Sequence, residues 1–203
     1  MFRGHMKKAL HNKESQTFLK SLISNQNKLS YQDIINQLAH TKKTLSKATI
    51  RYILENLYID EKEIRSLAEF EIDTYCRKRL FKNAHCEVLI LSWLNGQRSK
   101  IHDHLGSICG VKILSGQAIE TTFVRINNQH IFAIKSECYE QGDVIVSIDN
   151  DIHQISNLQD NYKELITLHI YSPPLQNFRL YQLETAKTSW FSSENSYSWF
   201  YEI

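Results

Sequence analysis

Three histidines in two segments are the residues of this chain best suited to chemistry: His102 and His104, in Ile101-His102-Asp103-His104, and His153, in Ile152-His153. The first pair follows an apolar, β-rich run, Val88 to Trp93, and is expected at the start of the next strand. Side chains two apart on an extended chain point to the same face, so the two imidazoles would offer neighbouring nitrogens to one ion. Taken alone, a His-x-His is equally a pair of ordinary surface histidines. Its frame favours a site: Gly96 lies six residues before His102 and Gly116 twelve after His104, and a later segment can bring His153 across. Gly142-Asp143 reads as a turn before that later strand, and Asp149-Asn150-Asp151 as another just ahead of His153.

The elements that must position these residues follow from periodicity. Ser15 precedes a short helical pattern with Phe18, Leu19, Leu22 and Ile23 on one side. Ser30 and Asp33 fit a helix start leading into Ile34, Ile35 and Leu38. Ile50, Ile53, Leu54, Leu57 and Tyr58 carry the spacing of one buried helical stripe, and Asp60 with Glu63 opens a further short helix ending near Phe70. From about residue 72 the period changes. Glu71 to Phe81, Glu87 to Trp93, Gly110 to Leu114, Gln117 to Ile126, His130 to Ser136, Asp143 to Ile148 and Lys163 to Tyr171 are short and rich in β-branched or aromatic residues, with turn signals such as Asn127-Asn128 between them. Strands are expected to continue through Phe178 to Leu183 and Tyr197 to Phe200, and Pro173-Pro174 reads as a turn at a barrel rim. The fold class is therefore mainly β, a sandwich or barrel with N-terminal α-helices packed against it.

Length and composition narrow the function. At 203 residues one domain is the default, with residues 1–70 helical and 71–203 forming the β part. The net charge of +2 hides an asymmetry, since residues 1–85 carry sixteen Lys and Arg against nine Asp and Glu. Those basic residues are interleaved with apolar ones, which describes the solvated face of helices rather than a nucleic-acid stripe, so no nucleic-acid partner is expected. Cys76, Cys86, Cys109 and Cys138 show no Cys-x-x-Cys spacing, arguing against a zinc ribbon or a disulfide framework. With reduced thiols, no apolar leader at Met1 and no bilayer-length run, a cytoplasmic location without membrane association is expected.

Four passages make the chain resemble the cysteine dioxygenase family of the cupin superfamily: Tyr75-Cys76-Arg77; Leu91-Ser92-Trp93 running into His102, His104 and Cys109; Ile152-His153 with Asn157; and Leu168-His169-Ile170-Tyr171-Ser172-Pro173-Pro174. The resemblance implies a cupin jelly-roll barrel and oxidation of L-cysteine to cysteine sulfinic acid by O2 at non-haem Fe(II). Many cupins place a glutamate ligand a few residues after His-x-His; Cys109 stands there instead, so the resemblance implies an all-histidine site of His102, His104 and His153. Three neutral ligands leave the ion's charge uncompensated and its remaining positions open to a thiol acid and oxygen.

Arg77 would then grip the substrate carboxylate with its planar fork of donors, supported by Tyr75 on the same strand face. Thr167, His169 and Tyr171 alternate on one face, allowing a hydrogen-bond relay from hydroxyl to imidazole to phenol, with Tyr171 aimed at bound oxygen or carboxylate. In the family the cysteine matching Cys109 can be joined by a thioether to the tyrosine matching Tyr171. The resemblance thus assigns catalytic roles to Tyr171, His169 and Cys109, substrate contacts to Arg77, Tyr75, His169 and Tyr171, and a supporting role to Thr167. Relatives that act on 3-mercaptopropionate usually lack the arginine and the cysteine, so their presence favours cysteine. A non-catalytic metal- or ligand-binding cupin is the reading of a different class, and three histidines alone would equally hold zinc with an open water position. The small molecules cysteine and O2 are the expected partners, and a monomer the expected state.

Overall fold

Local chemistry sets the first elements. The computed structural model describes residues 29–126, 130–148, 151–183 and 188–192. Helix α1 spans Tyr31–Ala39, α2 Lys47–Asn56 and α3 Glu61–Leu67. Each begins where a side-chain oxygen accepts a backbone N–H left over by the first turn: Ser30 from Asp33, Ser46 from Thr49, and Asp60 from Glu63. Leu57 and Tyr58, expected to extend the stripe of α2, lie beyond its end; Leu57 stays buried while Tyr58 is half exposed. The predicted helix after Ser15, the strand over residues 197–200, and turns at Asn127-Asn128 and Asp149-Asn150 lie outside the described residues.

Eleven strands are described: β1 Cys76–Lys82, β2 Glu87–Trp93, β3 Ile101–His102, β4 Ile108–Ser115, β5 Gln117–Ile126, β6 His130–Glu140, β7 Val144–Ser147, β8 Ile152–Ser156, β9 Leu165–Ser172, β10 Asn177–Tyr181 and β11 Thr188–Ser192. They form two antiparallel sheets, ordered β1-β2-β9-β4-β7 and β11-β10-β3-β8-β5-β6. The crossing of segments between sheets makes a double-stranded β-helix, the cupin barrel. The first strand begins at Cys76, five residues later than its expected start at Glu71.

Two apolar layers explain the composition of the central strands. Val88, Ile90, Ile166, Leu168 and Ile170 face outward and pack under Ile34, Leu38, Ile50, Ile53 and Leu54 of the helices. Leu89, Leu91, Trp93, Val111, Leu165 and Tyr171 face inward with Phe178 of the opposite sheet. Every residue of β2 and β9 is buried, since helices cover one face and the second sheet the other. The buried polar residues Thr167 and His169 of β9 therefore lie on its inner face rather than in solvent.

Candidate active site

The six-stranded sheet delivers two of the three histidines. β3 and β8 are antiparallel neighbours in which His102 and His153 are direct Cα partners, and their ring centroids lie 4.8 Å apart. His104 arrives differently. β3 stops at His102, and the chain turns through Leu105-Gly106, where Gly106 takes a φ of +84° that side-chain-bearing residues avoid. The expectation that both histidines lie within one strand is therefore corrected, although the two rings still reach one cluster, with the intervening Asp103 directed toward β10. Asp103, fully buried between them, supplies the reason: its carboxylate accepts the Arg179 backbone N–H at 2.9 Å, Arg179 Nε at 2.6 Å and the Tyr181 hydroxyl at 2.9 Å. These bonds hold residue 103 against β10, and the His104 ring lies with its centroid 5.2 Å from that of His102 and 4.7 Å from that of His153.

One donor nitrogen from each ring falls within 4.8 Å of the others. Nδ1 of His102 lies 2.8 Å from the Lys100 carbonyl and Nδ1 of His153 lies 2.7 Å from Glu120 Oε1, so each ring spends its hydrogen there and turns a lone pair on Nε2 inward. Nε2 of His153 and Nε2 of His104 stand 3.2 Å apart. Two nitrogens about 2.1 Å from one ion, at angles of about 90–110°, are separated by about 3.0–3.4 Å. Among the described residues, the buried His104 Nδ1 has no hydrogen-bond partner, and its Nε2 is the nitrogen turned toward the other rings. Burial, then the neighbouring His153, pushes the His102 pKa down to about 3 and holds His104 well below the ordinary range, keeping both neutral as ligation requires. These residues fit a divalent transition metal.

Arg77 belongs to the same chamber. Its half-buried guanidinium hydrogen-bonds Tyr75, and its charge reaches His102, His104, His169 and Tyr171. Burial disfavours that charge, while Tyr75 and Tyr171 favour it, and the balance raises the pKa. Tyr75 precedes β1 rather than lying in it, and stacks on Trp93 with centroids 4.0 Å apart and planes 15° from parallel.

Thr167, His169 and Tyr171 are all buried on the inner face of β9, and their hydrogen bonds have a direction. An indole N–H only donates, so Thr167 Oγ1 accepts from Trp93 Nε1 at 3.1 Å. The hydrogen of Thr167 then goes to His169 Nε2 at 2.9 Å. Burial first, then Arg77, holds His169 neutral with its pKa well below the ordinary range. Its remaining hydrogen sits on Nδ1, 3.4 Å from the Tyr171 oxygen, and the phenol hydrogen is left to point into the chamber or at Cys109. Cys109 and Tyr171 are direct cross-strand partners of β4 and β9, and the hydroxyl hydrogen-bonds the thiol. Burial pushes the Cys109 pKa up to about 12 and that of Tyr171 well above the phenol range, so both stay protonated.

Three residues at this site escaped the sequence reading. Trp93 was visible only as part of a motif, yet it stacks under Tyr75 and anchors Thr167. Asp103 and Glu120 are buried carboxylates whose partners lie 76 and 33 residues away, and no local spacing signals them. Asn157, by contrast, is a structural tie: its amide donates to the carbonyls of Trp93 and Lys163. A polar surface cleft of about 580 Å³ beside Arg65 and Tyr162 contains none of the histidines. The cleft of about 310 Å³ that reaches the site is lined by Glu120, Thr122, Tyr139, Ser147 and His153.

Fold and site together define a cupin with a three-histidine centre suited to a non-haem metal. The family profile for cysteine dioxygenase type I matches residues 19–184, and the chain belongs to that family, among the thiol dioxygenases. It is 27% identical over 141 residues to cysteine dioxygenase type 1 of Danio rerio, covering 67% of this chain and 70% of that protein. Against the Homo sapiens protein of the same name the identity is 26% over 140 residues, with the same coverage. Among solved structures, an uncharacterized conserved protein with a double-stranded β-helix domain from Klebsiella pneumoniae aligns with 59% of this chain and 94% of its own, at 15% identity and a TM-score of 0.47. No helix among the described residues is long and apolar enough to cross a membrane.

Proposed function

We propose that the protein oxidises L-cysteine to cysteine sulfinic acid with O2, at a ferrous ion held by His102, His104 and His153. The observation that carries this reading is Arg77: it stands directly opposite the inward-facing Leu91 on β2, so its guanidinium is on the chamber side of the sheet as a separate receptor for the carboxylate of a small thiol acid. When bound, ferrous iron supplies the redox chemistry that lets a thiolate react with oxygen. The protein's own groups do the rest. Arg77 takes the carboxylate through paired charge-assisted hydrogen bonds, and Tyr75 keeps the fork in place from its seat on Trp93. His169 stays neutral and orients the Tyr171 hydroxyl, which serves as a donor toward the reacting end of the substrate. The chamber lies between two sheets whose inner faces are apolar, which keeps bulk water from the thiolate.

The direct pairing of Cys109 with Tyr171 supports a further expectation, that part of the protein carries a thioether between the Cys109 sulfur and the Tyr171 ring. Its formation removes one hydrogen from the thiol and one from the ring, with oxygen as the oxidant. Intact mass after aerobic iron turnover should show a population lighter by two hydrogens, and a single unshifted mass would count against it.

The reaction is tested by anaerobic iron loading, then oxygen uptake and sulfinate analysis with cysteine, cysteamine, 3-mercaptopropionate and homocysteine. Cysteine-selective uptake is expected; a preference for 3-mercaptopropionate would assign the site to the other branch of thiol dioxygenases. Arg77→Ala, losing hydrogen bonds to a charged group worth about 1.5–3 kcal/mol, should lower kcat/KM for cysteine roughly 10- to 150-fold. Iron affinity should not fall, since Arg77 is no ligand and its positive charge opposes the ion.

A further inference from the structure

The sequence suggests a site of three neutral ligands with nothing to offset the ion's charge, but the fold brings a carboxylate to it. Glu120 and Ala118 share the inner face of β5, and β5 pairs with β8 so that Thr122 stands opposite His153 and Glu120 lies on the diagonal. Glu120 Oε1 meets His153 Nδ1 at 2.7 Å, with Glu120 only 8% exposed and His153 3%. The Tyr139 hydroxyl, which donates to Glu137, is a further polar neighbour. A buried carboxylate is costly unless it is well paired, and the partner of Glu120 is one ring nitrogen of His153. An ion on the far nitrogen of that ring would add positive charge to the pair. Glu120 thus stands one residue behind the ligand set, in contact with His153 and not with the ion's position.

We propose that Glu120 is a positioning residue of the metal centre, resting on the three-histidine reading above. It locks His153 with Nε2 toward the ion and returns, through the imidazole, the negative charge that an all-histidine ligand set lacks. The position a carboxylate ligand would have filled is thereby left open without giving up its electrostatic effect. Partners of this kind behind a ligating histidine change metal affinity by about 10- to 100-fold when lost.

The metal-free protein, Glu120→Gln and Glu120→Leu are titrated anaerobically with Fe(II) against a competing chelator, and with Co(II) followed by its visible absorption. Glutamine keeps an acceptor for the Nδ1 hydrogen but removes the charge, whereas leucine removes both. The expected result is an Fe(II) dissociation constant raised about 10-fold for Glu120→Gln and about 100-fold for Glu120→Leu, with altered Co(II) bands. The urea midpoint of metal-free Glu120→Gln should equal or exceed that of the native protein, whereas a merely structural role would lower it. Glu120→Gln binding Fe(II) within twofold of the native protein would overturn the proposal whatever the leucine variant does. A native protein that binds neither ion would instead overturn the metal site itself, a result read before any variant is compared.

Discussion

His169 is a histidine that must remain uncharged. Its Nε2 accepts from Thr167, so a second ring proton would displace the hydrogen that Thr167 donates there, and Arg77 adds repulsion. Burial, followed by that repulsion, holds its pKa well below the ordinary 6.5. The unfolded chain takes up this proton near pH 6.5 and the folded chain refuses it. The stability tied to His169 is therefore full above that pH and is lost as pH falls below it, by up to about 1.4 kcal/mol per pH unit. The urea midpoint of the metal-free protein should accordingly drop between about pH 6.5 and pH 5, and more gently in His169→Gln; equal slopes would show that the imidazole is not held neutral. The alternation of Thr167, His169 and Tyr171 was legible because strand period is local. The direction of their hydrogen bonds was not, because it depends on an indole 74 residues away.

At the scale of elements, α2 meets the barrel at a place only glycine permits. A Cβ at Gly110 of β4 would stand 2.2 Å from Ile50 Cγ2 and 2.7 Å from Leu54 Cδ1. Gly110→Ala should push the helix from the sheet and cost about 1–3 kcal/mol in chemical denaturation, and should cost less when introduced into an Ile50→Ala background, which lacks the clashing Cγ2. Lys112, two residues on, donates to the carbonyls of Leu54 and Leu57 and so satisfies the helix end. The caps at Ser30 and Asp60 and the stripe at Ile50, Ile53 and Leu54 could be read from sequence, since each is set within one or two turns. The place where α2 crosses β4 could not, because nothing near Gly110 in the chain marks it as a helix contact. β3 was misjudged for a related reason: a strand of two residues has no period to detect, and Asp103 ends it through bonds to β10.

Across the whole molecule, the site is assembled by pairing between distant segments. β3 sits between β8 and β10, so His102 faces His153 on one side while Asp103 is tied to Arg179 and Tyr181 on the other. The five-stranded sheet contributes the opposite wall, with Trp93, Cys109, Thr167, His169 and Tyr171 facing inward and its other face sealed by the helices. Sequence alone determined which donors exist, the caps of α1 and α3, and the short strands of a β barrel, because residue type, spacing and backbone period act over a few residues. Only the tertiary structure decided that His104 lies beyond the end of β3 yet joins the other two rings, that Asp103 and Glu120 stand behind the histidines, and that Trp93 joins Arg77's support to Tyr171's relay. Those contacts are fixed by strand register and sheet order, and the free energy that sets them comes from burying surfaces far apart in the chain.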